Sequence, residues 1–275
     1  MVNLMLKSLY YLFYDLLKIF RNLKNDKQFI ILLPRIFFSF LNKIVIYDKK
    51  NKNIFFQKFR NKFDILTIYE IFSEQDYNIN WYLNNNKKTL DNKKNLSKVI
   101  IDCGSNIGSS IEFFSRVYNP SKIIGVEPDL VNVNFSKKNI SNKFTSIINK
   151  AISDKRTTLH FDNSKDDNRS FNIINSSSGV EVETITVNDI IKDLKKDHDL
   201  FLLKIDIEGH EDQLFKENFD WIDEFKIIII EIHDWMLNGK ANSKNFIDAL
   251  SYSLKKNKRD LLISGENLIS IKINE

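Results

Sequence analysis

Residues 99–108, VIIDCGSNIG, constrain the fold of this chain more than any other segment. An apolar run reaches Asp102, passes through a glycine-bearing turn from Gly104 to Gly108, and enters the amphipathic stretch SSIEFFSRVY without a spacer. A short continuous apolar run suits a strand buried on both faces, and apolar positions repeating at helical spacing suit a surface helix. The segment therefore predicts strand, loop and helix in immediate succession. That is the opening unit of a nucleotide-type α/β fold, whose ligand lies against the carboxyl end of the strand and the start of the helix. A second apolar run, KIIGVEP, carries Glu127 at its end. A carboxylate about 20 residues beyond the glycine loop, at the end of the next strand, is placed to accept hydrogen bonds from both hydroxyls of a ribose.

The two motifs point to an adenosine-bearing cofactor, and the glycine spacing selects among such cofactors. A pyrophosphate needs Gly-x-Gly-x-x-Gly at the turn for close backbone approach. Here the order is Asp-x-Gly-x-Asn-x-Gly, with Asn106 in the middle of the loop. A carboxylate at Asp102 repels a diphosphate but suits ammonium and sulfonium charge, so S-adenosylmethionine fits better than NAD. The competing reading is a glycine turn that binds nothing, and the acidic strand end at Glu127 weighs against it.

A single cysteine excludes an intramolecular disulfide and suits a reducing compartment, so a cytoplasmic protein is expected. Cys103 reads as a small packing residue rather than a nucleophile. The four histidines are scattered, without the spacing of a structural zinc site. Charge divides the chain: residues 1–95 hold 17 Lys/Arg against 8 Asp/Glu, a net +9, whereas residues 96–275 hold 24 against 28, a net −4. A basic N-terminal extension, 1–95, thus precedes a catalytic-looking domain, 96–275. Within the extension, Lys7, Ser8, Asp15, Lys18, Arg21 and Asn22 recur on one helical stripe of residues 4–24, between Leu, Ile, Phe and Tyr. The run FIILLPRIFFSFL is broken by Pro34 and Arg35, and is too short on either side to cross a bilayer. No small-residue cleavage site of a signal peptide follows either segment. One reading lays residues 4–24 on the inner face of a membrane, apolar side down and basic residues toward anionic lipid. The other packs a pair of helices on the domain, or on a second copy in a homo-oligomer, and is the commoner arrangement. Next come two short strands, NKIVIY and NIFFQKF, around the turn DKKNKN, a helix through ILTIYEIFSEQDY, and an exposed connection at 84–98.

From Lys98 onward strands and helices alternate, which predicts an α/β fold: a mostly parallel sheet with helices on both faces. Strands are expected at 98–103, 122–127, 145–149, 200–206 and 226–232, with helices from Ser109, from Leu130, and near Val187 and Gln213. Two further strand-like stretches, TTLHFD and VEVETIT, flank a polar segment expected as a surface loop or β excursion. The pair RDLLIS and NLISIKI, joined by Gly265-Glu266, reads as an antiparallel hairpin closing the sheet edge. A mostly parallel sheet ending in such a hairpin is the Rossmann-like methyltransferase architecture.

The second informative site is FLLKIDIEGHE, residues 201–211. Its strand delivers Asp206 and Glu208 to the same sheet edge as Asp102 and Glu127, where paired carboxylates bind a metal, activate a hydroxyl, or hold an ammonium group. Their structural alternative is a helix cap for Glu208 and loop amides for Asp206. Downstream, IIIIEIHDW brings Glu231 and His233 to one face of the neighbouring strand end, with His233 a candidate base. Lys204 would pair with one of the carboxylates. A divalent metal bridging hydroxyls fits the pair chemically, but two ligands are too few for a site, so no metal ligands are assigned.

In order, VIIDCGSNIGSS, IIGVEPD, NKAISDKRTTL, LLKIDIEGHE and IIIIEIH resemble the FkbM-type family of S-adenosylmethionine-dependent methyltransferases over about residues 63–235. The resemblance implies a Rossmann-like fold and O-methyl transfer to hydroxyls of sugars, glycan precursors or other small metabolites. It further implies cofactor contact through Asp102, Gly104, Asn106, Gly108 and Glu127, with Ser153 and Asp154 near the adenine end. Residues 1–62 fall outside it. The expected reaction is in-line displacement at the sulfonium methyl, with Asp206 or His233 taking the proton and Glu208 orienting the acceptor. Two alternatives stand beside it. A nucleic-acid methyltransferase would use the basic extension, yet no aromatic-flanked Asn-Pro-Pro motif is present. A non-catalytic or membrane-attached binding protein would keep the scaffold without the chemistry.

Overall fold

A computed structural model describes residues 10, 13–17, 19, 25, 27–32, 42–86, 96–162, 172–173, 179–194 and 196–273. The chain divides into two compact units, Met1–Asp76 and Tyr77–Glu275.

The first unit holds a three-stranded antiparallel sheet in the order β1 (Phe29–Ile31), β2 (Lys43–Asp48), β3 (Asn53–Lys58). Alternation in KIVIYD turns Ile44, Ile46 and Asp48 inward. Asp48 then organises the hairpin turn, accepting from the backbone N–H of Lys50 and Asn51, each at 3.1 Å. Phe29–Ile31 was expected within a helix, but it pairs with β2 as an edge strand. A short all-apolar run has no periodicity to separate helix from strand, and an open sheet edge decided it. Helix α1 (Lys62–Tyr69) is capped by the Asn61 side chain and continues as one wider π turn through Glu74. Phe29, Phe55 and Phe72 meet edge-to-face at 5.2 to 5.9 Å in the core of this unit. Residues 13–17 are helical, with Phe13, Tyr14 and Leu17 exposed and Asp15 buried. The rest of the 4–24 stripe, residues 33–41, and residues 87–95 of the expected connection lie outside the described residues.

The second unit opens with α2 (Asn80–Asn85) and then alternates: β4 (Ser97–Cys103), α3 (Ser109–Tyr118), β5 (Lys122–Val126), α4 (Leu130–Ser136) and β6 (Thr145–Ile148). A small sheet follows, formed by β7 (Ala151–Ile152), β8 (Thr158–Asp162), β9 (Asn172–Ile173) and β10 (Val180–Ile185) in the order β7-β10-β8-β9. This is the expected β excursion; most of its polar segment lies outside the described residues. The main fold resumes with α5 (Val187–Ile191), β11 (His198–Ile205), the one-turn α6 (Glu211–Leu214), β12 (Ile227–Glu231), α7 (Lys244–Lys256), β13 (Arg259–Ser264) and β14 (Asn267–Lys272).

The large sheet runs β13-β14-β12-β11-β4-β5-β6, parallel except for β14, which is antiparallel to both neighbours. This is the Rossmann-like methyltransferase fold, and each expected main strand is found within a residue or two of its predicted ends. The inner strands VIIDC, FLLKI and IIII are buried throughout, which is why they read as continuous apolar runs. Leu203, Ile205, Ile228 and Ile230 pack on Phe215, Trp221, Phe225 and Phe246 on one face of the sheet. Strand order reverses between β4 and β11, so the chain leaves these adjacent strands in opposite directions and opens a crevice at their carboxyl ends.

Candidate active site

The crevice is a cleft lined by Gly104, Asn106, Val126, Glu127, Pro128, Asn132, Ala151, Ile152, Phe161, Asp206, Ile207, Glu208 and His210. Its floor depends on one close approach. A Cβ at Gly104, whose φ is +82°, would sit 1.8 Å from the backbone oxygen of Asp206. Only glycine lets the β4 loop lie this close to the end of β11.

Glu127 anchors the loop from the other side. Its carboxylate accepts from the backbone N–H of Asn106 (2.8 Å) and Asp129 (3.0 Å) and from Asn132 Nδ2 (3.2 Å). Burial raises this carboxyl to about 7 against the pull of those donors. Asn106 stands in the left-handed region, φ +44°, and its buried Oδ1 has no hydrogen-bond partner among the described residues. A buried acceptor without a partner is a departure from the usual pairing of buried polar groups.

Asp102 requires a correction. It was expected to face the cofactor's charge, but it is fully buried beneath the loop and does not line the cleft. Ser110 Oγ donates to it at 2.5 Å, and Lys204 Nζ lies 3.2 Å from its Oδ1. Lys204 also donates to the Gly104 carbonyl at 2.9 Å and lies 3.1 Å from Asp206 Oδ2. Burial opposes the ammonium charge, but Asp102 and Asp206 outweigh it and hold the lysine protonated. Lys204 is thus a buried tie between two strand ends, 2% exposed, rather than a group open to substrate.

Asp206 and Glu208 line the cleft, as the sequence suggested, and His233 and Glu231 stand behind them. His233 Nδ1 is 2.9 Å from Glu211 Oε1, while its Nε2 is 3.5 Å from Glu231, 3.7 Å from Asp206 and 3.8 Å from Glu208. Burial lowers the imidazole's affinity for a proton, but Glu211 and the other carboxylates more than reverse it, so His233 is shifted upward. Glu231 is also shifted upward, by burial and then by the Asp206 charge. An imidazole in this setting holds its proton, which makes it a poorer base than an unperturbed histidine.

Ser153 and Asp154 are buried and do not line the cleft. Ser153 Oγ is 3.3 Å from His210 Nε2, and Asp154 accepts from Gln213 Nε2 at 2.8 Å, so they back the wall that Ala151 and Ile152 present. Gly108 is the residue before α3 and also lies off the cleft. Sequence reasoning did not single out Phe161, His210, Glu211 or Asn242 as site residues. Glu211 was legible only as the end of EGHE, and Phe161 reaches the cleft from the small sheet, whose placement no local pattern encodes.

Residues 102–259, more than half of the chain, match the family model described as the Methyltransferase FkbM domain. No curated protein sequence matches the chain. Among solved structures, the chain is similar to methyltransferase FkbM from Methylobacillus flagellatus KT, at 15% identity and a TM-score of 0.44, covering 77% of this chain and 55% of that one. It spans little more than half the length of that protein. It is also similar to the plantazolicin methyltransferase BpumL in complex with SAH, at 12% identity and a TM-score of 0.42, covering 78% and 88% of the two chains. The precorrin-6y C5,15-methyltransferase from Geobacter metallireducens GS-15 is 12% identical, with a TM-score of 0.35 over 66% and 82%.

Proposed function

The chain belongs to the FkbM methyltransferase family, and from that premise we propose that it transfers a methyl group from S-adenosylmethionine to a hydroxyl of a sugar, glycan precursor or other small metabolite. The observation that carries this reading is the cleft at the sheet's reversal point, with Glu127 and the orphaned Asn106 Oδ1 in one part and the Asp206–Glu208 carboxylates in another. When bound, the cofactor supplies a methyl group on a positively charged sulfur, which is a good leaving group. Glu127 would accept from the ribose hydroxyls, and the Gly104–Asn106 backbone would cradle the amino-acid portion. Val126, Ala151, Ile152 and Phe161 offer an apolar wall for the adenine. The cleft carboxylates Asp206 and Glu208 orient the acceptor hydroxyl and receive its proton, while the fixed loops hold donor and acceptor in line.

Calorimetric titration with S-adenosylhomocysteine, with NAD as control, tests the cofactor reading. Micromolar binding that is lost in Glu127→Ala supports it, and folded protein that binds neither ligand refutes it. Asp206→Asn should then abolish transfer to a hydroxyl acceptor while leaving S-adenosylhomocysteine affinity intact.

A second reading concerns the N-terminal unit. The exposed Phe13, Tyr14 and Leu17, within a segment of net charge +9, support docking on an anionic membrane surface. Among the described residues no helix is long and apolar enough to cross a membrane. Co-sedimentation with anionic but not neutral vesicles, reduced by Phe13→Asp, is the expected result; equal recovery with and without vesicles rejects it.

A further inference from the structure

We propose that Asp206, Glu208 and His233 form a binding site for one divalent cation of the Mg²⁺ or Mn²⁺ class at the edge of the cleft. One ligand atom from each of the three residues lies within 4.8 Å of the others. His233 Nε2 is 3.7 Å from Asp206 Oδ1 and 3.8 Å from Glu208 Oε2. An octahedral ion with bonds of about 2.1 Å separates adjacent donors by about 3.0 Å and opposite donors by about 4.2 Å; the observed spacings fall between these values and are too long for direct hydrogen bonds.

The histidine supplies the observation that is independent of the acidic pair. Its side chain is 2% exposed, and among the described residues Nε2 makes no hydrogen bond although three carboxylates surround it. Its other nitrogen is committed: Nδ1 faces Glu211 at 2.9 Å. Glu211 is itself fixed by the Gly209 backbone N–H at 3.2 Å and by Asn242 Nδ2. A carboxylate holding Nδ1–H sets the tautomer that turns the Nε2 lone pair toward Asp206 and Glu208, as in metal sites where an outer carboxylate orients a ligating imidazole.

Charge points the same way. Asp206, Glu208, Glu211 and Glu231 converge on this ring, while the nearby Lys204 is divided among Asp102, Asp206 and the Gly104 carbonyl. A dication at Nε2 takes the place of the imidazolium proton and offsets two carboxylates at once. Two carboxylates and one imidazole, with no thiolate, form an oxygen-rich set that accepts a first-row dication, for which Mn²⁺ is the probe. A use of the cation in methyl transfer rests on the reading above; its binding does not.

The test is a titration of EDTA-dialysed full-length protein with MnCl₂, following free Mn²⁺ by electron paramagnetic resonance, with S-adenosylhomocysteine titrated calorimetrically into the same samples. The expected result is one saturable Mn²⁺ per chain, with affinity falling at least tenfold in Glu208→Gln and in His233→Gln while S-adenosylhomocysteine binding persists. Glu208 is partly exposed, so its variant carries the test if the buried histidine cannot be replaced without unfolding. Absence of saturable binding at millimolar Mn²⁺, or binding that Glu208→Gln leaves unchanged, overturns the proposal. Saturable, Glu208-dependent Mn²⁺ binding without S-adenosylhomocysteine binding upholds the cation site and counts against the methyltransferase reading alone.

Discussion

Replacing Lys204 with Met removes the cation from beneath the cofactor loop while nearly conserving side-chain volume. Three partners lose their ammonium: Asp102 Oδ1 at 3.2 Å, Asp206 Oδ2 at 3.1 Å and the Gly104 carbonyl at 2.9 Å. Asp206 is 23% exposed at its side chain and turns to water, but Asp102 is fully buried and keeps only Ser110. Breaking a buried pair by deleting one partner costs about 3–5 kcal/mol, because the other charge is stranded. At about 2–4 °C per kcal/mol for a domain of this size, Tm should fall by about 6–20 °C. Adding Asp102→Asn removes the stranded charge, so the double variant should be more stable than Lys204→Met alone. Urea titration followed by tryptophan fluorescence, to which the buried Trp221 contributes, measures Lys204→Met, Asp102→Asn and the double variant. A single-variant loss below about 1 kcal/mol, or additive losses in the double variant, would show that Lys204 is not the counter-ion that keeps Asp102 buried.

Glu127 gives a pH signature. Its carboxyl is raised from 4.5 to about 7, so between those values the folded chain binds a proton that the unfolded chain has released. Raising pH through that window therefore lowers stability; below it both states are protonated, and above it both are ionised. Ribose hydroxyls prefer the ionised acceptor, so S-adenosylhomocysteine affinity should rise from pH 6 to pH 8 in the wild type and stay level in Glu127→Gln; a level wild-type profile by calorimetry rejects this role. Gly104→Ala should cost about 1–2 kcal/mol for the left-handed backbone alone, and more for a Cβ 1.8 Å from the Asp206 oxygen. Its S-adenosylhomocysteine affinity should drop more than tenfold, and unchanged affinity would mean that the approach of β4 to β11 does not shape the site. Burial pushes the Cys103 thiol far up, so native protein should not react with Ellman's reagent while urea-unfolded protein releases one equivalent; rapid native labelling contradicts the buried loop.

Much of the Rossmann-like domain was legible because its strands announce themselves. Strands β4, β11 and β12 are buried on both faces over most of their length and so are apolar at most positions, and Lys204 is the charged interruption of the apolar run FLLKI in β11. The amphipathic α3 carries its apolar residues at helical spacing for the same reason of one-sided burial, and α7 has that spacing too although no helix was expected there. Phe29–Ile31 was misjudged because three apolar residues carry no period, and an available sheet edge settled the choice. Asp102 was given the right strand end and the wrong direction: a carboxylate's position in sequence places it at a sheet edge, but whether it faces ligand or lysine depends on a residue about 100 positions away, a separation over which no local pattern acts.

Local sequence determined the order of elements, the turn chemistry at Gly104–Gly108, and the delivery of Glu127, Asp206, Glu208 and His233 to one edge of the sheet, since period and turn residues are short-range properties of the chain. Tertiary structure alone decided which of those groups meet. It buried Asp102 under Lys204, turned His233 Nδ1 to Glu211, left its Nε2 among three carboxylates, and brought Phe161 from a separate sheet to the cleft wall. These pairings join residues remote in sequence, and their energies come from burial and charge in a shared low-dielectric space that exists only once the sheet has assembled.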